Sequence, residues 1–421
     1  QGCLSYWIGL NWNRTAMEIF LRLLSYTFGF VTICAVSYGS PPQKLEPVTV
    51  NKRLDGYWGI WYMNQPSQDE YVYKYSGGLG TYCAKHKPLA VYAEKANKTF
   101  FVYGGALPEN SRQLVHMVSY FDHETGMVPR PMMLLDKQTD DAHDNPVLSI
   151  DGQGYLWIFS TSHGRSRPSY IHRSARPYDI SEFAQIQATV ERSGETEPLD
   201  NFSYLQVWAQ NGMISSFFTH YNDPAGRTLF YMNSKDGKRW SEWTRLAAID
   251  EGHYHVSAVH RDVAGVALNY HPKGKGLNWR TNLYYIQSSD YGRTWTTGAG
   301  EKLTLPLNAP RNAALIADYE RDGKNVYMKD IRYDDAGRPV ILYLTSDGYQ
   351  AGPKGGIRRW ITIRWTGDEW VRNEVAISDS NYDMGSLYLE PGKWRVIAPT
   401  AAGPQPYNPG GEIAIWESAD H

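Results

Sequence analysis

Ser288-Ser289-Asp290-Tyr291-Gly292-Arg293-Thr294-Trp295 reads Ser-x-Asp-x-Gly-x-Thr-Trp, the form of an Asp-box. Each residue type has a local task. The carboxylate accepts backbone N–H groups of a tight turn, glycine permits a positive φ, and the tryptophan packs beneath. The pattern returns, one residue shorter, at Ser234-x-Asp236-Gly237-x-x-Trp240. A looser echo is Ser149-x-Asp151-x-x-Gly154-x-x-Trp157. Around these turns the chain is a succession of short strands, among them Leu89 to Tyr92, Thr99 to Tyr103, Leu114 to Phe121, Leu205 to Trp208, Met213 to Thr219, Val340 to Thr345 and Arg359 to Trp365. No long stretch carries helical periodicity. Short strands with regular turns imply a sandwich, barrel or propeller, and a turn motif repeated at blade-like spacing selects the propeller. The expectation is all-β: a single seven-bladed β-propeller over residues 40–421, about 380 residues at roughly 50 to 55 per blade. An Asp-box is a structural device and says nothing of activity.

Residues 1–39 are set apart. Met17 to Gly39 has a positive charge at Arg22, an apolar stretch and Ser37-Tyr38-Gly39 as a small-x-small cleavage site, which reads as a secretory signal peptide. Residues 1 to 16 read as upstream translation. Leu23 to Val36 is short for a membrane span, so the mature chain is expected to have none and to be secreted or periplasmic. Cys3 and Cys34 would leave with the presequence, and Cys83 alone allows no internal disulfide. Cys83-x-x-His86 is half of a metal motif, for which packing is the commoner explanation. Net charge is -2, so nucleic acid is not an expected partner. The 15 Trp and 31 Tyr suit sheet interiors, with stacking on sugar rings as the competing use. A monomer is expected.

The chemistry concentrates in Asp140 to Ser174, DDAHDNPVLSIDGQGYLWIFSTSHGRSRPSYIHRS. Val147 to Ile150 and Tyr155 to Ser160 flank Asp151-Gly152-Gln153-Gly154, a hairpin signature that brings His143 and His163 to one end. Arg165, Arg167 and Arg173 make that rim positive, fit for an anionic ligand. Imidazole moves protons near neutral pH, although each histidine taken alone more often satisfies backbone groups. Tyr204 opens a strand after a polar loop, Tyr270 lies in Leu268-Asn269-Tyr270-His271-Pro272, and His220 and Arg227 bracket a turn. In His253-Tyr254-His255, with His260 and His271 following, alternation puts His253 and His255 on one face, as two ligands of one metal would be. An exposed polar face is the equal alternative. No phosphate-cradling loop is present, so neither a redox nor a nucleotide cofactor is expected.

These residues carry a resemblance. GGLGTYCAKHKPLAVY, DDAHDNPVLSIDGQGYLWIFSTSHGR, EGHYHVS, LNYHP, WRTNLYY and GPQPYNPGGEIAIW resemble the β-propeller polysaccharide lyases that degrade ulvan, polysaccharide lyase families 24 and 25. The resemblance implies a secreted seven-bladed propeller that cleaves a sulfated, uronate-containing polysaccharide by β-elimination, with two histidines, a tyrosine and an arginine in the site. His143 and His163 match the histidines and Tyr204 the tyrosine. Where the arginine is expected the chain offers His220, with Arg227 seven residues later. The family's metal near the site implies a structural zinc or calcium at His253 and His271. Lyase chemistry needs the uronate carboxylate neutralised (Arg227, His220 or His163), a base for the C5 proton and an acid for O4. Because free tyrosine has a pKa of about 10, His143 is expected as base and Tyr204 as acid. Arg165, Arg167, Tyr270 and Arg280 are candidate substrate contacts. Two alternatives stay open: a sialidase-like glycoside hydrolase, needing an arginine cluster and a tyrosine nucleophile, and a non-catalytic carbohydrate-binding propeller.

Overall fold

Alternating apolar residues and Asp-box turns organise the described chain into antiparallel meanders, each strand pairing with the next. The computed structural model describes residues 49–57, 85–107, 109–165, 167–222, 226–399 and 413–419. The presequence expectation and Cys83 lie outside them. Among the described residues no helix is long and apolar enough to cross a membrane. Of seven sheets, one is a small ribbon of Thr189–Arg192, Glu195–Pro198 and Arg239–Trp240, and the other six are meanders, numbered here as blades in chain order.

Blade 1 holds Ala90–Ala93, Lys98–Leu107, Asn110–Asp122 and Met132–Asp136, with Thr49–Arg53 added on its outer edge. Blade 2 holds Pro146–Ile150, Leu156–Ser160, Tyr170–Ser174 and Phe183–Ile186. Blade 3 holds Ser203–Gln210, Met213–Asn222, Gly226–Ser234 and Thr244–Ala247. Blade 4 runs from His255–His260 to Leu315–Ala317, blade 5 from Asn325–Tyr333 to Trp370–Ser378 and blade 6 from Ser386–Glu390 to Ile413–Ser418.

Two observations arrange these sheets radially. The first strand of each blade touches the first strand of the next, from blade 1 through blade 6. The core is divided into layers between neighbours: Val147, Trp157 and Phe159 of blade 2 pack with Leu205, Val207 and Phe218 of blade 3 and Trp240 of the ribbon, and Phe217 and Tyr231 of blade 3 with Val266, Tyr284 and Trp295 of blade 4. Inner blades such as 2, 3 and 4 are therefore apolar on both faces, which is why strands such as Leu156–Ser160 are buried at every position. This is the packing of a β-propeller. The axis is filled: Lys87 pairs with Gln206 of blade 3 and forms a 2.7 Å ion pair with Asp330 of blade 5.

The Asp-boxes fold as their residues require. Asp290 accepts from Thr294 N at 2.9 Å, and Trp295 Nε1 donates to Gly292 O at 3.1 Å. In the second box Trp240 Nε1 bonds Gly237 O, also at 3.1 Å. The loose echo is a genuine variant: Trp157 Nε1 donates to Asp151 itself at 2.9 Å. Gly237, at φ +67°, sits where a Cβ would lie 2.5 Å from the Trp157 ring, so the box of blade 3 is keyed into that of blade 2.

Candidate active site

First strands begin at one end of the axis, and the site lies there. Asp141 caps the short 3-10 turn Ala142–Asp144 that feeds blade 2, accepting His143 N at 2.9 Å. The loop after Leu156–Ser160 is tied to this turn: His163 N donates to Asp144 Oδ1 at 2.5 Å and Thr161 Oγ1 to Asn145 O at 2.8 Å. The hairpin thus brings His143 and His163 together as the sequence implies. Their rings stack, with centroids 3.9 Å apart and planes 14° apart.

One carboxylate serves both rings. Asp141 Oδ1 takes the Nδ1 of His143, and Oδ2 takes the Nδ1 of His163 at 2.7 Å. Burial works to raise the Asp141 pKa, but the bonds from His143 and His163 outweigh it and hold the carboxyl well below its usual range. An ionised carboxylate only accepts, so each Nδ1 carries the proton and each basic lone pair is on Nε2. Burial pushes His143 down to about 4 against the opposing pull of Asp141, with His163 and Arg227 adding repulsion. His143 is neutral near neutral pH, as a base must be.

Tyr204 stands edge-on to this pair, 5.8 Å from the His143 centroid and 6.3 Å from that of His163. It opens the first strand of blade 3 at an irregularity in pairing, with a left-handed φ of 48°. That conformation is costly for a bulky residue and turns the ring out of the ladder into the site. His86, next to Lys87 at the axis, stacks on its other side at 5.6 Å.

Across the second turn of blade 3, Tyr221 pairs with Arg227. Arg227 Nη2 donates to the hydroxyls of Tyr204 at 3.2 Å and Tyr254 at 3.1 Å, and Nε reaches Tyr221 at 3.4 Å. Its Nη1 is buried with no hydrogen-bond partner. Gly252, at φ +108°, makes room for it, since a Cβ there would lie 2.3 Å from Arg227 Cβ. Beyond Tyr254 a second guanidinium, Arg280, lies 4.2 Å above the Tyr254 ring and 4.8 and 5.5 Å from those of Tyr327 and Tyr382.

Other expected residues fall elsewhere. His220 alternates with Tyr221 and so faces the opposite side of its strand, packed on Trp243 at 4.9 Å; Arg227, not His220, meets Tyr204. Tyr270 packs between blades 3 and 4 against Tyr284. Arg165 is exposed on the loop after His163, and Arg167 donates to Lys137 O at 3.3 Å. Arg173 points to the far end of blade 2, 3.4 Å above the Tyr155 ring, and does not join the rim. The metal expectation does not fit His253, whose Nε2 accepts Ile249 N at 3.0 Å and whose Nδ1 bonds Asn269 O at 2.8 Å. Both ring nitrogens are engaged with backbone. His271 turns its edge to Tyr254, with centroids 5.2 Å apart. Among the described residues one trio, Asp141, His143 and His163, has ligand-type atoms within 4.8 Å of one another, and those atoms bond each other.

Three site residues escape a sequence reading centred on histidines: Asp141 as the shared acceptor, Tyr221 and Tyr254. The alternation that puts His253 and His255 on one face turns Tyr254 to the other, towards Arg227.

Residues 117–377 match the family described as BNR repeat-containing family member. The chain belongs to the BNR repeat-containing family. Among curated proteins it is 25% identical over 402 residues to an ulvan lyase of Nonlabens ulvanivorans, covering 84% of this chain and 79% of that one. It is likewise 25% identical over 273 residues to Ulvan Lyase-PL25 of Pseudoalteromonas sp. (strain PLSV), covering 56% of this chain and 53% of that one. Among solved structures a PL25 ulvan lyase bound to -[GlcA(1-4)Rha3S]- superposes with a TM-score of 0.64 at 19% identity, covering 88% of this chain and 84% of that one. This BNR-family propeller therefore shares its fold with PL25 ulvan lyases.

Proposed function

We propose that the chain is a polysaccharide lyase that cleaves a sulfated, uronate-containing polysaccharide such as ulvan by β-elimination. One observation carries the reading: a buried guanidinium whose Nη1 has no hydrogen-bond partner stands beside a tyrosine hydroxyl and a pair of histidines whose tautomers one carboxylate fixes. The uronate carboxylate docks on Arg227, which withdraws charge and acidifies C5–H. His143 Nε2 takes the C5 proton, the C4–O4 bond breaks as C4=C5 forms, and Tyr204 gives its proton to the departing O4. Burial raises the Tyr204 pKa, so the phenol is in its acid form at working pH, and Arg227 steadies the phenolate as the proton leaves. His163, its Nδ1–H held by Asp141, stacks on His143 and keeps that ring in place. The ulvan lyases among the relatives support the substrate class.

The reading includes export after loss of residues 1–39, which N-terminal sequencing of secreted protein tests. It also keeps seven blades; a crystal structure counts them. The activity itself is tested by the ultraviolet absorbance of the conjugated unsaturated uronate while purified protein acts on ulvan, beside a His143→Ala control. Absorbance should rise with the wild type and not with the variant. No rise on ulvan or on any other polyuronide overturns the proposal.

A further inference from the structure

One cation that the sequence singles out takes no part in the site above. Arg173 stands across from Trp157 in blade 2, on the face shared with Tyr155, and that face is turned to blade 3. Its guanidinium lies 3.4 Å above the Tyr155 ring and 5.5 Å from the ring of Trp157. Aromatic contact holds it: among the described residues it has no ion pair, and its buried Nε has no hydrogen-bond partner. A guanidinium fixed by a ring keeps its N–H edge for a ligand, and a buried donor left unpaired is costly. Arg173 lines a groove of about 530 Å³ between the turns of blades 2 and 3, at the end of the blades opposite His143. The first strand of blade 2, Pro146–Ile150, separates the two ends by five residues, or about 15 Å. Two further cations in the groove, Lys235 and Lys238 of the second Asp-box, are exposed and pair with no carboxylate among the described residues. The two acids of the groove are occupied by their own turns. Asp151 accepts Gln153 N, Tyr155 N and Trp157 Nε1, and Asp236 accepts Lys238 N and Arg239 N. The charge left for a ligand is positive. Gln153, Gln210 and Asn211 add amide groups, and Ile150, Ala209 and Ile214 add apolar surface.

We propose that this groove is a second, non-catalytic carbohydrate site, which holds a sulfate ester of a polysaccharide on Arg173, Lys235 and Lys238 while the amides meet the hydroxyls of its sugar rings. The volume lies in the range that takes a ligand of drug size, such as a disaccharide. Cations on two walls suit a tetrahedral oxyanion, whose oxygens point several ways, better than a planar carboxylate. The amides and the apolar surface distinguish a saccharide site from a bare ion site. No bond is made or broken here. The groove tethers the polymer at the far end of the blades, which raises the local concentration of chain at His143. A chain too short to reach both ends gains nothing from it. That the tethered polymer is the substrate rests on the lyase reading, whereas the binding of a sulfated saccharide stands without it.

The experiment is affinity electrophoresis through gels that contain ulvan or chemically desulfated ulvan, with His143→Ala as the parent so that the polymer stays intact. Arg173→Gln, and separately Lys235→Glu with Lys238→Glu, should bind ulvan about tenfold more weakly than the parent, the worth of one charge-assisted hydrogen bond. On desulfated ulvan that difference should vanish. Parent-like binding in both variants overturns the proposal, as does a difference that persists without sulfate. So does a difference abolished by inorganic sulfate at the same concentration of sulfate groups, because the groove then holds a free ion and not a saccharide. Thermal melts check folding, and the exposed lysines decide the matter if Arg173→Gln does not fold. With His143 restored, the KM for ulvan should rise about tenfold in the variants, while kcat and the kinetics on an ulvan tetrasaccharide stay at wild-type values. A fall in kcat, or an equal loss on the tetrasaccharide, is an effect through the fold and overturns the tether. Sulfate-dependent binding that the variants lose, in a protein without lyase activity, fails the functional reading and keeps this site; lyase activity with unaltered binding does the reverse.

Discussion

Replacing Asp141 separates charge from tautomer. Asp141 Oδ1 accepts two bonds from His143, one from its backbone N at 2.9 Å and one from Nδ1, whereas Oδ2 accepts a single bond from His163 Nδ1 at 2.7 Å. In Asp141→Asn the amide oxygen goes where there are two donors, leaving the NH2 against His163. A donor cannot face Nδ1–H, so His163 must move its proton to Nε2 while His143 keeps Nδ1–H. The cost to His143 is the difference between a charge-assisted and a neutral hydrogen bond, about 1 to 1.5 kcal/mol, or roughly tenfold in kcat. Asp141→Ala removes both charged bonds, about 3 to 6 kcal/mol, which corresponds to roughly 10²- to 10⁴-fold. Histidine ¹⁵N–¹H spectra should show the inverted tautomer at His163 alone in Asp141→Asn, and the unsaturated-uronate assay gives kcat. Thermal melts exclude loss of the turn that Asp141 caps. Wild-type turnover in Asp141→Ala refutes the role of the carboxylate. If Asp141→Asn is as slow as Asp141→Ala, proton abstraction belongs to His163 and the assignment of His143 falls.

Three more outcomes follow from the geometry. Gly252→Ala would set a Cβ 2.3 Å from Arg227 Cβ and 2.7 Å from Arg227 O at φ +108°, so the guanidinium must move; steady-state kinetics should show about a 10²-fold lower kcat/KM, the scale of a 1 Å misplacement. Arg227→Ala should lose about 10²- to 10³-fold in kcat, whereas His220→Ala, which empties the contact with Trp243, should chiefly lower the Tm, with activity per folded molecule falling far less. Finally, burial lowers His143, His172 and His253 to about 4 and His255 to about 3. Their folded values lie below the unfolded one, so the unfolded chain binds more protons in between: stability is fully present above about 6.5 and is lost as pH falls towards 4, each histidine adding about 1.4 kcal/mol per pH unit to the slope. Urea unfolding at a series of pH values measures that slope, and a flat profile from 7 to 4 would contradict it.

What the sequence disclosed was local. The Asp-boxes and the hairpin between His143 and His163 depend on turn residues and strand alternation within a few positions, and both folded as read. The choice between His220 and Arg227 depended on the face of a strand, and with a period of two a single position reverses it. His253 resembled a ligand because its partners, the backbone of Ile249 and Asn269, are matters of tertiary contact that residue identity does not display. Tyr254 was hidden for a similar reason: its importance comes from Arg227, which another blade supplies. A single carboxylate shared by two rings is visible as DDAHD only once the second histidine is known to return to it.

A chain of net charge -2 is an unpromising binder of polyanions until the charge is located. Of the two acidic groups at the site, Asp141 has both oxygens turned to the histidine rings and Asp144 accepts His163 N, so they present little repulsion to an incoming carboxylate. The two guanidiniums lie in an aromatic, water-poor wall, where each acts through a lower effective dielectric than at the surface. Their attraction is therefore short-ranged and depends on fit: a uronate able to reach Arg227 Nη1 gains a charge-assisted bond, while a sulfate confined to the rim meets Arg165 across solvent. On this argument the carboxylate, rather than the sulfate, decides which sugar enters the cleavage position. Raising the salt concentration should then weaken binding of the polymer as a whole while leaving the preference for uronate at the cleaved residue intact.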